Sequence, residues 1–158
     1  MAERETRGSP PLYLLPHLRR ARDLADRHYA DPLNLDELAA AAGVSKYHFL
    51  RAFAAVYGRT PAVYLAERRI ERAQDLLRAT NLTVTEVCML VGYSSLGSFS
   101  SKFRQLVGVT PSEYQAKFAD GAPRIPGCFV FMHGLSDRTP PGRANGAISE
   151  KPQARRSP

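Results

Sequence analysis

The sequence predicts an all-α protein: seven helices forming two helix-turn-helix subdomains joined by a long connector helix. Three observations predict it. Apolar residues recur at three- and four-residue steps between Leu12 and Ala119, helix caps and turn glycines punctuate that stretch, and the chain repeats itself at an offset of 50 residues.

The elements follow in order. Leu14, Leu18, Ala21, Ala25 and Tyr29 form the apolar stripe of a first helix that ends at Asp31-Pro32. Asn34 is placed to cap a short helix from Leu35 to Ala42, stopped by Gly43. Ser45 caps the next, Lys46 to Tyr57, stopped by Gly58. Thr60 caps a connector helix over 61–80, with Pro61 at its first position, where a missing N–H costs little. Leu65, Ile70, Ala73, Leu76 and Leu77 mark its buried stripe. Thr83 caps a short helix ending at Gly92, Ser94 caps one ending at Gly108, and Thr110-Pro111 opens the last.

The repeat carries most of the inference. Phe49, Phe53, Gly58, Thr60, Pro61 and Tyr64 match Phe99, Phe103, Gly108, Thr110, Pro111 and Tyr114, each pair 50 residues apart. Upstream, Glu37, Leu38, Ala39 and Gly43 match Glu86, Val87, Cys88 and Gly92 at 49, so the second copy has gained one residue in its tight turn. In each copy a small residue, Ala39 or Cys88, precedes the turn glycine by four positions and lets the following helix cross closely. Cys88 therefore reads as a buried thiol. The two phenylalanines of each copy lie four apart on one buried face.

The opposite face of each second helix has no core to serve. In the first copy it offers Lys46, Tyr47, His48, Leu50 and Arg51; in the second, Ser95, Leu96, Gly97, Ser98, Ser100, Ser101 and Arg104. Such helices, 46–57 and 95–107, fit a DNA major groove with their first turns at the base edges. The connector of roughly 19 residues is about 28 Å long, which with the flanking turns brings the two to about one DNA turn apart. The implied site is asymmetric, because the two faces differ.

At these residues the chain resembles the AraC/XylS family of bacterial transcription regulators. The resemblance runs from about Leu18 to Phe118, through S-K-Y-H-F-L-R-A-F, Y-G-R-T-P-A-V-Y, R-R-I-E-R-A-Q-D-L-L and V-G-Y-S-S-L-G-S-F-S-S-K-F-R-Q-L-V-G-V-T-P-S-E-Y. It implies a seven-helix DNA-binding domain, a monomer on double-stranded DNA, that usually activates transcription beside RNA polymerase. Base-contacting positions of the family fall at Tyr47, Leu50 and Arg51, and in the second copy at Leu96, Gly97 and Ser101. Many members carry a ligand-binding domain ahead of this one; here about eleven residues precede it, which fits a short stand-alone regulator or a fragment.

Arg51 is the leading base reader, since a guanidinium bonds guanine N7 and O6 together, against the alternatives of a phosphate contact or a surface ion pair. Lys46, His48 and Ser100 complete the base-contact candidates, although a solvated histidine is an ordinary alternative. Leu50 offers a thymine methyl only an apolar contact, Gly97 has no side chain, and Ser101 stands where an arginine is common in the family. The second half should read sequence weakly and lean on phosphates and DNA shape. Ser45, Arg59, Ser94, Ser95, Lys102 and Arg104 are the phosphate candidates, each also explained by capping or solvation. Arg69 on the connector reads as structural, paired with Glu86.

Composition agrees without deciding the matter. The chain has 22 Lys+Arg against 15 Asp+Glu, a net charge of +7, which suits a polyanionic partner but does not require one. Segment by segment, residues 1–11 are neutral, 12–119 carry +4 and 120–158 carry +3. The last stretch holds half the prolines and reads as largely disordered, apart from an apolar, β-prone island at 125–132. That island is either a strand-like flap docked on the helical core or a partner-binding segment. Hydrophobic residues at 44% exclude wholesale disorder. No apolar run suits a membrane span, and Cys88 and Cys128 make no disulfide framework, so the expected compartment is the cytoplasm. The four histidines lack metal-ligand spacing, and no nucleotide loop, nucleophile elbow or carboxylate pair is present. Neither an enzyme nor a cofactor is expected. The competing function is a protein-interaction module that titrates RNA polymerase or another regulator.

Overall fold

A computed structural model describes residues 10–119 and 124–133 of the chain. After a single 3-10 turn (Leu12–Leu14) come α1 (Leu15–Arg27), α2 (Leu35–Ala42), α3 (Lys46–Tyr57), α4 (Pro61–Ala79), α5 (Val84–Leu90), α6 (Leu96–Val107), α7 (Pro111–Ala116) and α8 (Gly127–His133). The all-α expectation and the order of the first seven helices hold; α8 is the addition.

Local chemistry accounts for the boundaries. Asn34, Thr83 and Thr110 each form a reciprocal capping box with a glutamate three residues on, Glu37, Glu86 and Glu113. Thr60 accepts from the Val63 amide ahead of Pro61. Gly43, Gly58, Gly92 and Gly108 all take positive φ, and they are the residues of the described chain that do so. One cap differs from expectation. α6 is capped by Ser95, not Ser94, with its Oγ accepting from the Ser98 amide at 3.4 Å, and it starts at Leu96, not Ser95. The repeat held that signal, because Ser95 lies 50 residues after the cap Ser45.

Two cores result, one per repeat. The first gathers Leu14, Leu18, Ala21, Leu38, Ala39, Phe49, Phe53 and Leu65; the second gathers Ile70, Leu77, Leu82, Val87, Cys88, Val91, Phe99 and Phe103. The aromatic geometry is itself repeated. Phe53 meets Tyr64 edge-on at 5.7 Å, and Phe103 meets Tyr114 edge-on at 5.5 Å. α4 belongs to both cores, packing on α1 and α3 with its first half and on α5, α6 and α7 with its second. Cys88 is buried as expected, with its thiol pKa pushed up by that burial.

The apolar island folds as a helix, not a strand. An isolated bridge joins Ile125 to Thr80, the Ile125 amide donates to Ala79 O at 2.9 Å, and the Asn81 amide donates to Ile125 O at 3.2 Å. Beyond it α8 buries Val130 in the second core. Pro126 stands immediately before the helix, and burial of Val130 in the second core outweighs the β propensity of the segment. Residues 1–9, 120–123 and 134–158, with the leader and disordered-tail expectations that concern them, lie outside the described residues. No helix among the described residues is long and apolar enough to cross a membrane.

Candidate nucleic-acid interface

α3 is held from beneath. Phe49, Ala52 and Phe53 are buried, and full burial of each phenylalanine ring is worth about 2–3 kcal/mol. That anchoring turns Lys46, Tyr47, His48 and Arg51 outward, and all four are exposed. Their side chains are not all idle. Lys46 Nζ reaches Asp36 Oδ1 on α2 at 2.8 Å. The Arg51 guanidinium lies 5.6 Å from the centre of the Tyr47 ring, an exposed cation–π pair that extends both side chains off the same face. Ser45 is occupied as the cap, accepting from the His48 amide at 3.3 Å. Acceptance leaves its hydroxyl hydrogen free in principle for a phosphate oxygen.

Leu50 departs from the expected face. It is half-buried and lines a cleft of about 380 Å³ between the two repeats, together with Leu35, Leu38, Leu65, Tyr93 and Lys102. The three-residue step from Tyr47 rotates it off the outermost line of the helix and toward the seam.

α6 rests on Phe99 and Phe103 in the same way. Its outer surface offers Leu96, Gly97, Ser98, Ser101 and Arg104, all exposed, while Ser100 is half-buried. An added Cβ at Gly97 would find no heavy atom nearer than Ser95 Oγ at 3.7 Å, so the glycine leaves open space. Ser94 is exposed and precedes the cap. Lys102 is half-buried, and its ammonium donates to Gln105 Oε1 at 2.8 Å. Arg59, in the turn after α3, is ion-paired with Glu67 on α4. A guanidinium has five donors, so that pairing still leaves N–H groups for another acceptor.

The expected Arg69–Glu86 pair does not form. Glu86 is taken by the Thr83 amide and hydroxyl at 2.7 and 2.8 Å, which depress its pKa below the usual carboxylate value. Arg69 instead crosses to the loop after α1. Its Nε donates to Tyr29 O at 2.6 Å and its Nη2 to Asp31 O at 2.9 Å. Its guanidinium also lies 5.6 Å from the centre of the Tyr93 ring. The structural role holds and the partners change. Sequence reasoning missed Tyr93 and Gly92 as members of this contact, because they meet Arg69 and Ala30 only through the tertiary fold. Among the described residues, no group of His, Cys, Asp or Glu is placed to hold a metal ion.

With this geometry in place, comparison with known proteins is direct. Residues 38–117, just over half the chain, match the family described as a helix-turn-helix domain. The regulatory protein SoxS of Escherichia coli K12 is 37% identical over 90 residues, covering 57% of this chain and 84% of SoxS. The MmsAB operon regulatory protein of Pseudomonas aeruginosa is 35% identical over 94 residues, covering 60% of this chain and 31% of that protein. The chain thus spans about a third of the length of the latter relative. Among solved structures, the DNA-binding domain of AdpA in complex with a target DNA superposes with a TM-score of 0.62 at 30% identity, over 64% of this chain and 91% of that one. An AraC-type regulator from Chromobacterium violaceum superposes with a TM-score of 0.63 at 32% identity, over 68% of this chain and 96% of that one. Motif order, both repeat units and the superposed fold agree: the chain belongs to the AraC-type helix-turn-helix family of DNA-binding transcription regulators.

Proposed function

We propose that the protein activates transcription by binding double-stranded DNA as a monomer, with α3 and α6 in successive major grooves of an asymmetric promoter site. The observation that carries this reading is the duplicated unit itself. Each copy buries a phenylalanine pair beneath a helix whose opposite face stays exposed, as Lys46, Tyr47, His48 and Arg51 do on α3. A helix so presented matches the groove, and Arg51 matches the paired acceptors of guanine. That the related AdpA domain is bound to DNA supports the partner.

The two halves do different work in this reading. α3 reads sequence through Arg51, with Tyr47 and His48 beside it, whereas Leu96, Gly97 and Ser101 on α6 offer little hydrogen-bonding discrimination. Ser45, Arg59, Ser94, Ser95, Lys102 and Arg104 supply phosphate contacts, Arg59 through the N–H groups that its ion pair with Glu67 leaves over. RNA polymerase is the proposed protein partner in activation. The spare surface chemistry of α6 favours one alternative, an interaction module with little specific DNA binding of its own.

Selection of bound duplexes from a random library tests the reading. The expected site spans two major-groove turns, sharply defined at one half and blurred at the other, and Arg51→Ala costs about 1–3 kcal/mol of binding at the sharp half. Affinity should also fall steeply with salt as phosphate contacts release counterions. Selection that enriches no sequence, with regulation retained in Arg51→Ala, establishes the interaction module instead.

A further inference from the structure

The two repeats share α4, and a shared helix leaves each unit free to pivot about its axis unless contacts away from that axis brace it. The structure contains such a brace on one side of the molecule. Arg69 ties the loop after α1, through Tyr29 O and Asp31 O, while its guanidinium lies by the Tyr93 ring of the second unit. Beside it, Gly92 lets the second unit press on the Ala30 backbone, so closely that a Cβ there would lie 2.5 Å from Ala30 O. The Tyr29 ring packs against both cores. Next to this joint the seam opens into the cleft lined by Leu50 of α3 and Lys102 of α6, the two helices with exposed reading faces. The second unit therefore has open space into which it would tilt if the joint were loosened.

We propose that this joint, and not the connector helix alone, sets the spacing and phase at which α3 and α6 meet DNA, with Arg69 as the positioning residue. The inference rests on the two-groove reading above. Lever arithmetic shows why a small contact suffices: a pivot of about 10° over a lever of about 20 Å, two helix diameters, displaces a reading helix by about 3.5 Å, one base-pair step. A joint of two hydrogen bonds, a stacked ring and a backbone contact thus makes the protein discriminate sites by the separation of their halves. Arg69 touches no base in this account and acts only through the placement of α6.

The test uses the full chain and a duplex selected by it from a random library. Derivatives carry one base pair inserted or deleted between the halves, and a further duplex retains only the half read by α3. The parent should bind the altered spacings about tenfold more weakly, whereas Arg69→Met should bind all three spacings within about threefold. Affinity for the single-half duplex should be unchanged by the substitution, and Arg69→Lys, which keeps the charge but only one donor nitrogen, should fall between. If Arg69→Met lacks the helical circular dichroism of the parent, Tyr93→Leu is judged by the same criteria. Undiminished spacing preference in the folded variants overturns the proposal, as does an equal loss on the single-half duplex, which marks a merely structural role. A parent that selects no two-part site refutes the two-groove reading itself, and that result is visible without any variant.

Discussion

Replacing Gly92 with alanine introduces a methyl group where three backbone atoms of Ala30 already stand. The ideal Cβ lies 2.5 Å from the carbonyl oxygen and 2.9 Å from both the carbonyl carbon and Cα, and none of these atoms can rotate aside. Two costs add. The φ of +86° is a left-handed conformation that costs an L-residue about 1–2 kcal/mol. Pushing the α1 loop and the α5–α6 turn apart adds about 1–3 kcal/mol, as in overpacked cores. The repeat supplies its own controls. Gly43, the counterpart of Gly92, has φ +65°, but a Cβ there would meet nothing beyond its chain neighbours nearer than His17 Nδ1 at 3.8 Å, and one at Gly58, φ +70°, would meet nothing beyond its chain neighbours within 4 Å. Gly43→Ala and Gly58→Ala should show the conformational cost alone. Urea unfolding followed at 222 nm separates the cases. With a slope of about 1.5 kcal/mol per M, midpoints should fall by about 1 M for the controls and about 2 M for Gly92→Ala. Equal losses at Gly43 and Gly92 would refute the close approach between the units, and with it the physical basis of the joint.

Other consequences are measurable with the same protein. Phe49→Ala and Phe99→Ala should each lower stability by about 3–5 kcal/mol in urea titrations, since each ring is fully buried beneath an exposed helix. A chain ending at Ala119 should lose about 2 kcal/mol from the unburied Val130 side chain, and amide exchange should rise in α5 and α6 before α2 and α3. Glu86 and Glu113 have pKa values lowered chiefly by the Thr83 and Thr110 backbone amides. Their contribution is therefore complete above the ordinary carboxylate pKa and lost as pH falls through the lowered folded value. The urea midpoint should drop on acidification less steeply in the Glu86→Gln, Glu113→Gln double variant than in the parent.

Short-range information accounts for what was legible beforehand. Capping boxes at Asn34, Thr83 and Thr110 act within three residues, and the Phe49–Phe53 and Phe99–Phe103 pairs within four, so their chemistry is written contiguously. The repeat then told which faces are buried and which remain outside, and the exposure of Tyr47 and Arg51 agrees. The α6 cap belongs to the same kind of information, since Ser45 predicts Ser95 by the common offset. Leu50 and Lys102 were harder. Their periodicity places them off the core but says nothing of a second unit whose surface turns them into the walls of a cleft.

The sequence by itself determined two helix-turn-helix units, their order and their outward faces, because helix period, caps and turn glycines are properties of neighbouring residues. Only the tertiary structure decided how the units meet. Arg69 finds its acceptors about 40 residues upstream, Gly92 abuts Ala30, and Val130 turns a β-prone segment into a helix on the second core. Each of those outcomes depends on which surfaces the folded units bring within hydrogen-bonding or van der Waals range. No spacing along the chain encodes that distance.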